Sequence, residues 1–305
     1  MGRTHHMWDI SLFGGTSVTI GDTVVRGGAL GGVKPRKLLE ALAVTPGQAV
    51  SKEVLADRIW GEAPPRCYLA TLESYVCVLR RAVGAPGGRG SWLATTPGGY
   101  LLDAAQVRVD LADTRHALRS VAGYETPVAV SVTSAALELD EHVLLGDSAD
   151  EGWADDVRRD FASLLVAACV HTAGRSLEAG DPLVAIRFAR AALHRDPFAE
   201  TAVQILLRGL ADVGRRAEAM RVFRDFRQLL LDELGIDPDT DTTAAYLDTL
   251  RRRGPQVADG HRTLESEARL LFDLLRQALE TTGRLEVGET DVALRALARQ
   301  LRLVA

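Results

Sequence analysis

The sequence predicts a mainly helical protein whose few strands are confined to an amino-terminal head. Three observations predict it. Alternating strand patterns occur only near residues 8–25 and 92–102, amphipathic helical patterns fill most of the rest, and a 34-residue repeat runs through the second half. At 305 residues the chain is about twice the usual domain size, so two domains are expected. With 47% hydrophobic and 25% charged residues, it has the composition of a protein with real cores.

Charge divides along the chain. Residues 1–110 carry 12 Lys+Arg against 9 Asp+Glu, a net of +3, and the remaining 24 against 32 give −8. The overall −5 therefore conceals a modestly basic head on an acidic body, an arrangement suited to a polyanion-binding head. The three cysteines, Cys67, Cys77 and Cys169, have no C-x2-C spacing, which argues against a disulfide framework or a zinc site. A reducing, cytoplasmic setting follows, since the start lacks a secretory pattern and no apolar run approaches the ~20 residues of a membrane span. Residues 1–7 read as a tag or disordered start.

In the head, WDISLF, TSVTI and TVV alternate as short strands separated by glycine turns, which reads as a small antiparallel sheet. Glycines 27, 28, 31 and 32 then lead into a helix at Lys34–Val44. The run GGALGGVKP departs from a phosphate loop, because Val33 precedes the lysine and Pro35 takes the hydroxyl position. A second helix starts where Ser51 caps it and Glu53 meets the positive end of its dipole, with Val54, Leu55, Ile59 and Trp60 as its buried stripe. Gly61 and Pro64-Pro65 stop it.

The third helix, Cys67–Val83, is the most informative segment. Leu72, Val76, Leu79 and Val83 fix its buried side, which leaves Ala70, Ser74, Cys77, Val78 and Arg81 facing outward with Thr71 and Arg80 on the flanks. A short polar face ending in two arginines suits a helix in a DNA major groove; a solvated basic helix end gives the same pattern. A hairpin follows, Trp92–Thr96 and Tyr100–Leu102 about Pro97-Gly98-Gly99. Sheet, three helices and hairpin are the order of a winged helix-turn-helix.

These segments resemble the DNA-binding domain of the Streptomyces antibiotic regulatory protein family, itself similar to the response-regulator winged helices. The matching stretches are KPRKLLEAL, SKEVLADRIWGEAPP, TLESYVCVLRRAVG and TTPGGYLL, which together cover most of residues 8–103. The resemblance implies that Thr71, Ser74, Tyr75, Arg80 and Arg81 belong to a recognition helix, whose outward face includes Cys77 by its spacing, and Thr95, Thr96 and Tyr100 to a wing. Tyr75 and Tyr100 also suit core packing. Lys34, Arg36, Lys37, Lys52 and Arg66 sit near helix starts, where a phosphate could meet cation and free N–H groups together. Where the family has Ser-Arg before Leu-Arg-Arg, this chain has Cys77-Val78, so weakened or lost DNA binding is the competing reading.

After Val107–Asp110 the pattern is helical, with the acidic stretch 138–156 as a loop around helical ends. LEAGDPLVAIRFARAALHRDPF and LADVGRRAEAMRVFRDFRQLLLDEL align Gly180 with Gly214 and Ala185 with Ala219, the 34-residue period of tetratricopeptide helix pairs. This body resembles the bacterial transcriptional activator domain of the same family. The expected divisions are a winged helix at 8–106, an all-α body at 107–254, a linker at 255–262 and tail helices near Leu264–Thr281 and Glu289–Leu303. The resemblance implies an activator of an antibiotic gene cluster that binds promoter direct repeats as a homodimer and recruits RNA polymerase. No catalytic residue, metal, cofactor or membrane partner is expected: the seven histidines are scattered and no G-x-S-x-G occurs. A dimerisation or packing scaffold is the alternative for the body, and a helical-repeat interaction protein the alternative for the whole chain.

Overall fold

The computed structural model describes residues 8–84 and 91–251. The expected tail helices, the linker and the first seven residues lie outside them. The chain divides into two compact units, Met1–Thr249 and Leu250–Ala305, and every element described begins in the first.

The head opens with β1 (Trp8–Ser11), β2 (Ser17–Ile20) and β3 (Thr23–Arg26), antiparallel neighbours in register Trp8↔Ile20 and Ile20↔Thr23. The sheet is mixed rather than wholly antiparallel, because β7 (Val107–Val109) adds to the other edge of β1 in parallel, Trp8 opposite Val107. A 3-10 turn at Gly27–Leu30 leads into α1 (Val33–Ala43). β4 (Val50–Ser51) then meets α2 (Lys52–Trp60), whose cap is the one expected: Ser51 Oγ accepts from the Val54 N–H at 3.2 Å. Leu55 and Ile59 are fully buried, but Val54 turns out from that stripe and is 43% exposed.

α3 (Tyr68–Ala82) buries Leu72, Val76 and Leu79, with Val83 behind them, at the spacing that the sequence predicts. The wing strands β5 (Leu93–Thr96) and β6 (Gly99–Leu102) form a three-stranded sheet with β4 in the order β4-β6-β5. Gly99 lies so close to β4 that a Cβ on it would stand 1.9 Å from the Val50 carbonyl oxygen, which accounts for a glycine just beyond the turn. Trp8 stacks on the buried Trp92 with ring centroids 6.4 Å apart, tying the first sheet to the wing.

The body is α4 (Asp110–Arg119), α5 (Thr126–Asp140), α6 (Gly152–Glu178), α7 (Pro182–Arg195), α8 (Glu200–Asp212), α9 (Arg216–Leu234) and α10 (Thr240–Arg251). Successive helices from α6 to α9 pack on one another. The repeat has its expected meaning: Gly180 and Gly214 end α6 and α8 at φ +80° and +76°, and Ala185 and Ala219 are fully buried against the neighbouring helix. Gly209 of α8 lets α7 approach, since a Cβ there would sit 3.0 Å from Ile186.

Head and body meet along α1 and the segment between α5 and α6. Glu40 of α1 is fully buried and accepts hydrogen bonds from Thr16 Oγ1 at 2.6 Å, the Asp147 N–H at 3.2 Å and the Ser148 hydroxyl. Beside it Arg36 pairs with Asp147 at 2.7 Å and Lys37 pairs with Glu151. The body segment also bridges Leu144 to Phe13, and the Leu145 N–H donates to the Leu12 carbonyl at 3.0 Å. Leu145 adopts φ +58°, the one left-handed non-glycine residue among those described. That conformation costs a side-chain-bearing residue roughly 1–2 kcal/mol and persists because both its amide and its carbonyl, which accepts from Arg158, are engaged.

Two outcomes follow from this packing. Gly99→Ala should destabilise the chain by about 2 kcal/mol through overpacking between β6 and β4, read as a lower urea midpoint. Burial holds the Glu40 carboxyl above its ordinary value of 4.5, against the hydrogen bonds from Ser148 and Thr16 that lower it. The folded state then binds this proton more tightly than the unfolded state does. The Glu40 contribution to stability is accordingly greatest below pH 4.5 and declines as pH rises through the elevated folded pKa. Unfolding titrations at several pH values should show that slope in the wild-type protein and lose it in Glu40→Gln; equal slopes in both would refute it.

Candidate nucleic-acid interface

A seven-residue turn, 61–67, joins α2 to α3; α3 presents an exposed stripe of Ala70, Ser74, Cys77 and Arg81, and Arg66 is exposed in the turn that precedes it. At 1.5 Å per residue its 15 residues span about 22 Å, enough to lie along a major groove. The wing stands at the carboxy-terminal end of this helix, and Arg80 fastens it there. Arg80 Nε and Nη2 donate to the Leu93 carbonyl at 3.1 and 2.7 Å, and Nη2 also reaches Thr95 Oγ1 at 2.9 Å. The start of α2 holds the other side, the Lys52 N–H donating to the Gly98 carbonyl at 3.2 Å.

The expected basic residues are thus divided by the fold. Arg81 and Arg66 are exposed, with no side-chain hydrogen bond or ion pair among the described residues. Arg80 is a wing anchor. Lys34 donates to the Ile59 carbonyl at 2.6 Å and lies 6.0 Å from the Trp60 ring centroid. Arg36 and Lys37 face the body, because α1 turns that side toward Asp147 and Glu151, and their charge is committed to the junction. Lys52 pairs with Glu73 at 2.9 Å and lies 5.8 Å from the Tyr100 ring centroid. The Glu73 bond is the chief reason the Lys52 ammonium holds its proton more tightly than usual.

Among the polar candidates, Ser74 and Cys77 are exposed, and the Thr71 hydroxyl donates to the Cys67 carbonyl at 3.1 Å on the flank. Thr95 is exposed on the wing and Thr96 is half-buried. Tyr75 stacks on Trp60 with centroids 6.0 Å apart, and Tyr100 is buried at the wing base. Val78 departs from the outward face assigned to it: it is half-buried and rests on the 3-10 corner, where a Cβ on Gly31 would meet its Cγ1 at 2.1 Å. Gly31 itself has φ +94°, so corner and helix fit only without a side chain. Glu73 on the exposed face was not among the candidates, although its position one residue before Ser74 carried the signal.

Outside this face the structure offers little chemistry. Among the described residues no group of three His, Cys, Asp or Glu is arranged to hold a metal, and no helix is long and apolar enough to cross a membrane. Cys169 is buried, and burial pushes its thiol up to about 12, so it is an inert packing residue. A shallow pocket of about 270 Å³ at the sheet edge is lined by Asp9, Arg108, Asp110 and Asp113, but Arg108 already pairs with Asp113 at 3.2 Å.

The family model "Transcriptional regulatory protein, C terminal" matches residues 31–102, and "Bacterial transcriptional activator domain" matches residues 102–250. Regulatory protein AfsR of Streptomyces coelicolor is 32% identical over 219 residues, 69% of this chain and 21% of that protein. Transcriptional regulator RedD of the same organism is 27% identical over 258 residues, 82% of this chain and 70% of RedD. The chain thus spans only about a fifth of the length of the AfsR relatives it matches. A solved structure of Mycobacterium tuberculosis EmbR in complex with a low-affinity phosphopeptide superposes with a TM-score of 0.69 at 25% identity, over 88% of this chain and 71% of that one. With the two domains in this order, and with these relatives, the chain belongs to the Streptomyces antibiotic regulatory protein family of transcriptional regulators.

Proposed function

We propose that the chain is a cytoplasmic, sequence-specific DNA-binding activator, residues 8–106 forming the DNA-binding part and 107–254 the activating body. α3 enters the major groove, Arg81 and Arg66 meet phosphates or guanine edges, and the wing tip at Pro97-Gly98 touches the neighbouring backbone or minor groove. The observation that carries this reading is the exposed stripe of α3. Ala70, Ser74 and Cys77 are short, Arg81 near its end and Arg66 in the preceding turn have no side-chain hydrogen bond or ion pair among the described residues, and a wing is fastened beside it by Arg80. Two copies side by side on promoter direct repeats would present their helical bodies to RNA polymerase, as befits relatives named regulators in Streptomyces. The controlled genes on this reading are those of an antibiotic cluster. The small number of unpaired cations among the described residues of the face favours the second reading, a helical interaction protein that has lost DNA binding.

A titration against promoter DNA from the gene's own neighbourhood, repeated at several salt concentrations, separates the two. Specific binding should exceed that to random DNA by about a thousandfold or more; a ratio near one would leave the interaction protein. Arg81→Ala should weaken specific binding about tenfold while altering stability by no more than about 0.5 kcal/mol. If Arg81 meets a phosphate, the salt slope also falls by about one. Arg80→Ala should instead cost about 2 kcal/mol of stability and raise hydrogen exchange in β5, because it frees the Leu93 carbonyl and the wing strand. The same stability loss in both variants would show that the roles of the two arginines are misassigned.

A further inference from the structure

One side chain on the face of α3 runs against the charge expected there. Glu73 is the only acidic residue of α3, and its side chain is 59% exposed. It lies beside the short, exposed side chains of Ala70, Ser74 and Cys77. Lys52 Nζ donates to Oε1 at 2.9 Å, and Lys52 is itself braced near the Tyr100 ring. The carboxylate is therefore held on one side by a residue fixed at the start of α2. Among the described residues Oε2 receives no hydrogen bond.

A carboxylate turned toward a polyanion weakens binding unless a donor meets it. On the floor of the major groove the donors are exocyclic amino groups, cytosine N4 and adenine N6. A carboxylate has only acceptors, and adenine places the N7 acceptor next to its amino group, whereas cytosine places no acceptor beside N4. Cytosine is therefore the better match. We propose that Glu73 is a specificity-determining residue that accepts a hydrogen bond from a cytosine amino group, with Lys52 as the positioning residue that aims its carboxylate. The proposal rests on the DNA-binding reading above and adds the identity of a base.

The test is selection of preferred sites from a randomised duplex pool with the full chain, for the wild type, Glu73→Gln and Glu73→Ala. Wild type should favour cytosine at one position by about fivefold or more. Glu73→Gln should move that preference to adenine, because an amide can accept from N6 and donate to N7 together, and Glu73→Ala should leave the position without preference. The other positions should stay as they are in all three. If both variants gain affinity for every sequence alike and keep the wild-type preferences, Glu73 is only an electrostatic partner of Lys52; the proposal then falls while the DNA-binding reading stands. A wild type that selects no sequence overturns that reading, and the proposal with it.

Discussion

The relation between the two halves of this molecule hangs on one buried carboxylate. Glu40 sits on the first helix of the head with no exposed surface, and burying a charged group without partners costs several kcal/mol. Its three donors come from both sides: Thr16 from the head, and the Ser148 hydroxyl and Asp147 N–H from the body. The three hydrogen bonds therefore join head to body at a single buried group. The ion pairs of Arg36 and Lys37 flank the same contact, and the left-handed Leu145 is held within it. Helix α1 then carries that orientation onward. It packs on α3 and on the strand of the wing next to β4, so α3, the wing and the helical body share one frame.

The distribution of charge takes its meaning from this junction. A head of net +3 and a body of −8 look like a DNA-binding domain beside an acidic tail. Part of that opposition is internal, since the acidic loop supplies counter-ions to two of the head's cations. Among the described residues of α3 and the turn before it, two exposed arginines, Arg66 and Arg81, are left to meet a polyanion. Non-specific attraction scales with the number of phosphates neutralised, so a face of this kind depends on the fit of individual side chains more than on bulk charge.

The elements were legible in the sequence wherever a local rule fixes them. The four-three-four spacing of Leu72, Val76, Leu79 and Val83 defines α3 because burial of that stripe needs no information from elsewhere. Ser51 marks a helix start by its own hydroxyl, and the glycines at a 34-residue offset mark helix ends by their conformation. Long-range pairings were not legible. Nothing in the short stretch Val107–Val109 says that it will lie parallel to β1, about a hundred residues earlier, and the partners of Arg36 and Lys37 lie more than a hundred residues on. Helical periodicity placed Val78 outward because an isolated helix has no knowledge of the glycine corner that receives it. Glu73 was not legible as a fixed part of the face, because its partner Lys52 lies on another helix, twenty-one residues earlier.

The strand β7 has a consequence for the order in which the molecule can assemble. Synthesis delivers β1 first and its parallel neighbour about a hundred residues later, so one edge of the first sheet stands open while the helices and wing are being made. Closing that edge brings Asp110, the first residue of α4, onto the end of β1, where it accepts from the Leu12 N–H and the Ser11 hydroxyl. The winged helix is completed by residues that the activator segment supplies. A fragment cut at the end of the wing would keep α3 and the wing and still expose an unpaired strand, a surface prone to pair with another copy.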